Sequence, residues 1–135
     1  MISPETLASS NTEHGHQSAY FCALVDLAHS FPEVRWIHAI PNGGSRDVVT
    51  SGRLKAEGVR AGVWDVFIPV ARGQWHGMYI EFKVPKRRVE KRGGLTEDQR
   101  AFGLAVHQEG YCTAVCYTWE EAIAHTLEYL RKEKF

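Results

Sequence analysis

The chain has 135 residues, 44% of them hydrophobic, and 16 Lys and Arg balance 16 Asp and Glu. That length suits one globular domain with a proper core, and a net charge of zero does not announce a nucleic-acid binder. No apolar run approaches the roughly 18–20 residues of a membrane span, and no charged-then-apolar leader opens the chain. Three cysteines, Cys22, Cys112 and Cys116, lack CxxC spacing and suggest free thiols in a reducing compartment. The expectation is a soluble cytoplasmic protein with no membrane partner.

Residues 1–11 are short and polar and are expected to be loosely ordered. Asn11 or Thr12 can cap a helix running to about His29 and ending before Pro32. Its Phe21, Leu24, Val25 and Ala28 recur at helical spacing, and Glu13 and Gln17 share a face near its start. Val34 to Ile40 reads as a strand stopped by Pro41-Asn42-Gly43-Gly44. Gly52, Gly58 and Gly62 punctuate the next segment, with a short helix around Arg53 to Glu57, and Arg46, Arg53, Lys55 and Arg60 make it basic.

Alternation of apolar and other residues marks 63–70 and 77–83 as strands joined by a turn at 71–76. If the hairpin is symmetric about Gly73, Asp65 lies opposite Glu81 and Phe67 opposite Tyr79. Lys83 shares the face of Glu81, while Trp64, Val66, Ile68, Met78, Ile80 and Phe82 make the other, core face. The stretch from Val84 to Gly94, with Lys86, Arg87, Arg88, Lys91 and Arg92, reads as an exposed mobile loop. Thr96 and Gln99 form a capping box for a helix to about Gln108, ended by Gly110. Tyr111 to Tyr117 is a strand, and Thr118 with Glu121 a second capping box for a last helix whose Ala122, Ile123, Leu127 and Leu130 line one stripe. The order αβββαβα implies an α/β fold, a small mixed sheet flanked by helices.

Two carboxylates and a lysine thus meet in one patch, where like charges facing each other destabilise a sheet. A divalent cation between Asp65 and Glu81 removes that cost, and a hard ion such as Mg²⁺ keeps coordination positions open for a phosphate and a water. Lys83 can stabilise charge on phosphorus or help deprotonate the water. By spacing alone an Asp…Glu-x-Lys pattern is weak, because charges commonly alternate on solvated strands; the hairpin register is what strengthens it. The seven histidines show no paired ligand motif, and Cys112 and Cys116, four apart on a strand, are too separated for easy joint coordination, so no zinc site is read. Lys86, Arg87 and Arg88, directly after Lys83, can grip phosphates beside a cut, with Arg46, Lys55 and Arg60 doing the same from the other rim.

Several stretches carry a family resemblance: Ile40-Pro41-Asn42-Gly43-Gly44, Gly52 through Asp65, Tyr79-Ile80-Glu81-Phe82-Lys83, Leu95 through Gln99, and Gly110 through Ala122. In this order they resemble the VRR-NUC domain, a branch of the PD-(D/E)XK nucleases with a restriction-endonuclease-like core. The resemblance covers about residues 13–130 and looks like the stand-alone phage and bacterial type. It implies a metal-dependent DNA endonuclease using Mg²⁺ or Mn²⁺, selective for branched, flap or junction DNA. A homodimer is implied as well, working in the cytoplasm of a bacterial host for a phage-borne member. By resemblance, Asp65 and Glu81 are metal ligands with the Phe82 backbone carbonyl as a third, Lys83 is the catalytic lysine, Glu13 completes the metal site, and Gln99 supports the site or contacts substrate. Trp64 stands where the superfamily's name places proline. Glu13 and Gln99 also have plain structural accounts, a first-turn acid and a capping box. A reading from another class is a non-catalytic nucleic-acid-binding or assembly module that has kept the nuclease fold.

Overall fold

The computed structural model describes residues 2–41 and 48–134, so Asn42, Gly43, Gly44 and Arg46 lie outside the described residues. Within the stretch expected to be loosely ordered, Pro4–Ala8 forms a short helix, α1, with Pro4 in its first turn and Ser3 Oγ accepting the Thr6 N–H at 3.2 Å. α1 packs on α2, Glu13–Leu27, which Thr12 caps through the Gly15 N–H. Gly15 permits the approach, since a Cβ there would sit 2.8 Å from the Leu7 carbonyl oxygen. The buried face of α2 runs through Ala19, Tyr20 and Leu24, whereas Val25, expected in the core, is 69% exposed. The expected stripe was drawn one position too wide, and the extra position turns to solvent.

The strand expected over Val34–Ile40 shrinks to β1, His38–Ala39, because Pro32 at the first position starts a 3₁₀ turn over Pro32–Trp36 that buries Val34. α3 spans Val48–Ala56 and begins earlier than expected; Gly58, at φ 99°, follows it. The hairpin consists of β2, Val66–Ile68, and β3, Gly77–Phe82. Its pairs Val66–Ile80, Phe67–Tyr79 and Ile68–Met78 place the symmetry point at Gly73, as the sequence pattern implies. Pro85–Val89 and Lys91–Gly94 form two 3₁₀ turns where a loop was expected, tied down by Tyr117 Oη donating to the Gly93 carbonyl at 2.8 Å. α4, Glu97–Gln108, carries the full Thr96–Gln99 capping box and crosses over to β4, Tyr111–Cys116, which pairs parallel with β3. α5, Trp119–Leu130, closes the chain.

The sheet order is β1-β2-β3-β4, antiparallel except for the last pair. One face packs against α2 and α5 around Tyr20, Val66, Ile68, Met78, Ile80 and Phe82. Thr126 and Tyr20 bring polar groups into this core but satisfy each other at 2.8 Å, and Thr126 also donates to the Ala122 carbonyl. Buried Arg72 fastens the hairpin turn to its surroundings, donating to Glu33 at 2.6 Å and to the Leu130 carbonyl at 3.3 Å. Trp64 is buried, but outside this core: the strand starts only at Val66, so the indole turns to α4, lies over Gly103 and donates to the Gln99 carbonyl at 2.8 Å. The grouping of Trp64 with the core face is thereby corrected.

Candidate active site

Asp65 sits one residue before β2, held by its carbonyl accepting the Ile40 N–H at 2.7 Å, and the register carries it opposite Glu81 in β3. The two residues lock one another through the backbone. Asp65 Oδ2 accepts the Phe82 N–H at 2.9 Å, and Glu81 Oε1 accepts the Asp65 N–H at 3.2 Å. Lys83 follows β3, its own N–H donating to the Cys116 carbonyl at 3.0 Å and its Nζ 3.5 Å from Glu81 Oε2. Gln99 donates its Nε2 to the same Glu81 Oε2 at 2.9 Å, while its Oε1 accepts the Thr96 N–H. One glutamine therefore caps α4 and orients the acid at once. Glu81 is 1% exposed and Lys83 4%.

Such burial sets the electrostatics. Loss of hydration pushes the Glu81 carboxyl up to about 8, the neighbouring Asp65 adds to the rise, and Lys83 opposes it. Asp65 is raised as well, chiefly by burial, against the Phe82 N–H that holds it down. A buried and a half-buried carboxyl with one lysine beside Glu81 leave a surplus negative charge when ionised, and hard oxygen donors in that state match a divalent cation that keeps part of its water shell. Among the described residues no group of three or more His, Cys, Asp and Glu side chains is close enough to hold a metal. The donor set on offer is thus Asp65 and Glu81. Glu13, at the start of α2, reaches Asp65 by Coulomb repulsion but is not gathered with the pair. The Phe82 carbonyl accepts from no described side chain, while its N–H is engaged by Asp65.

The basic residues divide into two groups. Lys55, Arg60 and Lys86 are exposed and form no ion pair among the described residues. Arg87 pairs with Glu90 at 2.9 Å. Arg88 pairs with Glu121 and lies 4.3 Å from the centre of the Tyr117 ring, so it serves to pin the 3₁₀ turns to α5. The expected second capping box is half formed: Thr118 Oγ1 accepts the Glu121 N–H, but the Glu121 carboxylate turns to the Tyr117 N–H and to Arg88. Sequence reasoning missed this role for Glu121 and Tyr117, since only tertiary packing brings Arg88 to them. His16 likewise proves structural: its Nδ1 accepts the Trp119 N–H at 3.1 Å, which leaves Nε2–H to donate to Asn11 Oδ1 at 2.7 Å.

No protein-family model and no curated protein matches the chain. A solved structure described as a VRR_NUC domain protein matches it with a TM-score of 0.61 and 28% sequence identity, over 75% of this chain and 72% of that one. The chain is similar in fold and sequence to this VRR_NUC domain protein. Its four-stranded sheet flanked by helices is the VRR-NUC fold, a nuclease-family architecture. In this chain the acidic pair, the lysine and the glutamine occupy the hairpin, its end and the start of the crossover helix, α4, which are the elements the register and the capping box assign them to. Among the described residues no helix is long and apolar enough to cross a membrane.

Proposed function

We propose that this protein, similar in fold to a VRR_NUC domain protein, is a Mg²⁺- or Mn²⁺-dependent endonuclease that hydrolyses phosphodiester bonds in DNA. The observation that carries the reading is the facing Asp65–Glu81 pair, its Glu81 buried and its Asp65 half-buried, with Lys83 and Gln99 against Glu81, in a nuclease-family fold. Asp65 and Glu81 would hold the cation, with the Phe82 carbonyl as a further oxygen donor; Glu13 enters as a donor by family resemblance alone, since it stands apart from the pair. When bound, the cation supplies Lewis-acid polarisation of a phosphoryl oxygen and a lowered pKa for an attached water. Lys83 places a positive charge beside the reacting phosphate, where negative charge grows in the transition state. Gln99 fixes the rotamer of Glu81 and keeps one of its oxygens oriented. Exposed Lys55, Arg60 and Lys86 suit phosphate contacts that position a strand without reading bases; Arg46 joins them by sequence. Family likeness supports branched, flap or junction DNA as the substrate class and a homodimer as the assembly.

The test is cleavage of linear and branched DNA with Mg²⁺ or Mn²⁺ by the wild-type protein and by Asp65→Ala and Lys83→Ala. Both variants are expected to lose cutting and to keep DNA binding. Metal-dependent cutting that survives Asp65→Ala sinks the site assignment, and a wild type that binds DNA but cuts none of the panel favours a non-catalytic binding module.

A further inference from the structure

The sheet face that carries Asp65 and Glu81 also carries a row of flat rings. His38 pairs with Phe67 and Phe67 with Tyr79, so the three form one cross-strand row two residues, or about 7 Å, from the acidic pair. Tyr111 pairs with Gly77 and extends the patch onto β4. Phe67 and Tyr79 stack with centroids 4.6 Å apart and planes at 29°, and Tyr111 stands 5.7 Å from Tyr79. Gly77 leaves the space that the Phe67 ring fills, because a Cβ there would meet that ring at 3.0 Å.

Ordinary packing accounts for part of this cluster, since Phe102 of α4 meets Tyr79 edge-on at 5.1 Å, but not for its openness. On the opposite face Val66, Ile68, Met78 and Ile80 are aliphatic and at most 1% exposed, whereas Phe67, Tyr79 and Tyr111 are only half-buried and His38 is exposed. The hydroxyls of Tyr79 and Tyr111 bond to no described residue. Half-open rings beside a phosphate-handling site, Phe67 and Tyr79 near parallel with His38 and Tyr111 set edge-on or tilted around them, are what a protein uses to receive unstacked bases, since every base offers a flat face.

We propose that Phe67, Tyr79, Tyr111 and His38 form a stacking platform for an unpaired nucleobase of the DNA strand that enters the Asp65–Glu81 site. The inference rests on reading that site as a DNA-cutting centre and narrows the substrate to DNA whose single-stranded segment next to the cut stacks on these rings. Fully paired DNA offers no free base face and gains nothing from the platform.

Binding is measured without divalent metal, so that nothing is cut, to a duplex bearing a single-stranded tail labelled with 2-aminopurine and to a blunt duplex of the same length. Wild-type protein is expected to quench the tail label and to prefer the tailed DNA. Phe67→Leu and Tyr111→Leu, which keep apolar bulk but lose the ring, are expected to weaken tailed binding about tenfold and to leave blunt binding unchanged. Phe67→Tyr restores the preference, and His38→Ala, at an exposed position where folding is not at stake, shifts it in the same direction by less. Leucine variants that retain the wild-type preference overturn the platform, as does His38→Ala or Phe67→Tyr weakening both DNAs alike. A tail preference lost in the leucine variants of a protein that never cuts DNA supports the platform and refutes the nuclease; normal metal-dependent cutting with no tail preference does the reverse.

Discussion

Glu81 shows how one side chain couples stability to function. Its carboxyl ordinarily titrates near 4.5 and in the fold is pushed up to about 8 by burial and by Asp65. Below the ordinary value it is protonated folded or unfolded and has no effect. As pH rises, the unfolded chain releases the proton first, so stability is lost progressively until the folded carboxyl also ionises near 8. In metal-free buffer the melting temperature is therefore expected to fall between about pH 5 and about pH 8, with Glu81→Gln removing most of the slope, as thermal scans at several pH values would report. Added Mg²⁺ is expected to raise the melting temperature more at the upper end of that range, where the pair is ionised. Gln99 separates two roles in a second experiment. Gln99→Glu keeps the acceptor for the Thr96 N–H and hence the cap, but replaces the donor to Glu81 with a second carboxylate. Melting should change little while cleavage falls about 10–100-fold; cleavage as unchanged as melting would mean that the residue acts only as a cap.

At the level of elements, α4 makes one especially close approach to the rest of the fold. A Cβ on Gly103 would stand 2.5 Å from the Trp64 ring, and that ring donates to the Gln99 carbonyl one turn earlier in the same helix. Gly103→Ala must therefore lift α4 or turn the indole, at a cost of about 1–3 kcal/mol. Chemical denaturation should show that loss, and cleavage should fall with it because Gln99 moves with the helix. A melting temperature at or above wild type would show that the contact is slack. The two 3₁₀ turns after β3 illustrate the complementary case. The run of cations in 86–92 suggests a solvated loop, but the Arg88–Glu121 pair, the Tyr117 ring and the Tyr117–Gly93 bond hold it against α5. Cations with partners have less to offer a phosphate.

For the whole molecule, that division predicts how affinity responds to salt. Removing a free cation that contacts a phosphate lowers the slope of log K against log salt by about 0.9. Lys86→Ala is expected to do so, whereas Arg88→Ala should leave the slope nearly intact and lower the melting temperature instead, since it breaks a tether between the turns and α5. Titrations at several salt concentrations would separate the two; a full unit lost in Arg88→Ala would mean that the ion pair opens to bind DNA.

Local chemistry written along the chain determined much of this protein. Period-two alternation about Gly73 sets the hairpin register, and with it the meeting of Asp65, Glu81 and Lys83, because a symmetric two-stranded ladder has only one pairing that buries Val66, Ile68, Met78 and Ile80 together. The Thr96–Gln99 box sets the start of α4 in the same local way. Tertiary structure decided the rest. It curtailed β1 to two residues once Pro32 began a turn, sent Trp64 to α4 because the strand had not yet begun, and turned Val25 outward. It also gave Gln99 its second bond and paired Arg88 with Glu121. Those outcomes depend on which surfaces meet across the fold, and contacts between residues 33 or 35 positions apart leave no period or spacing in the sequence to read.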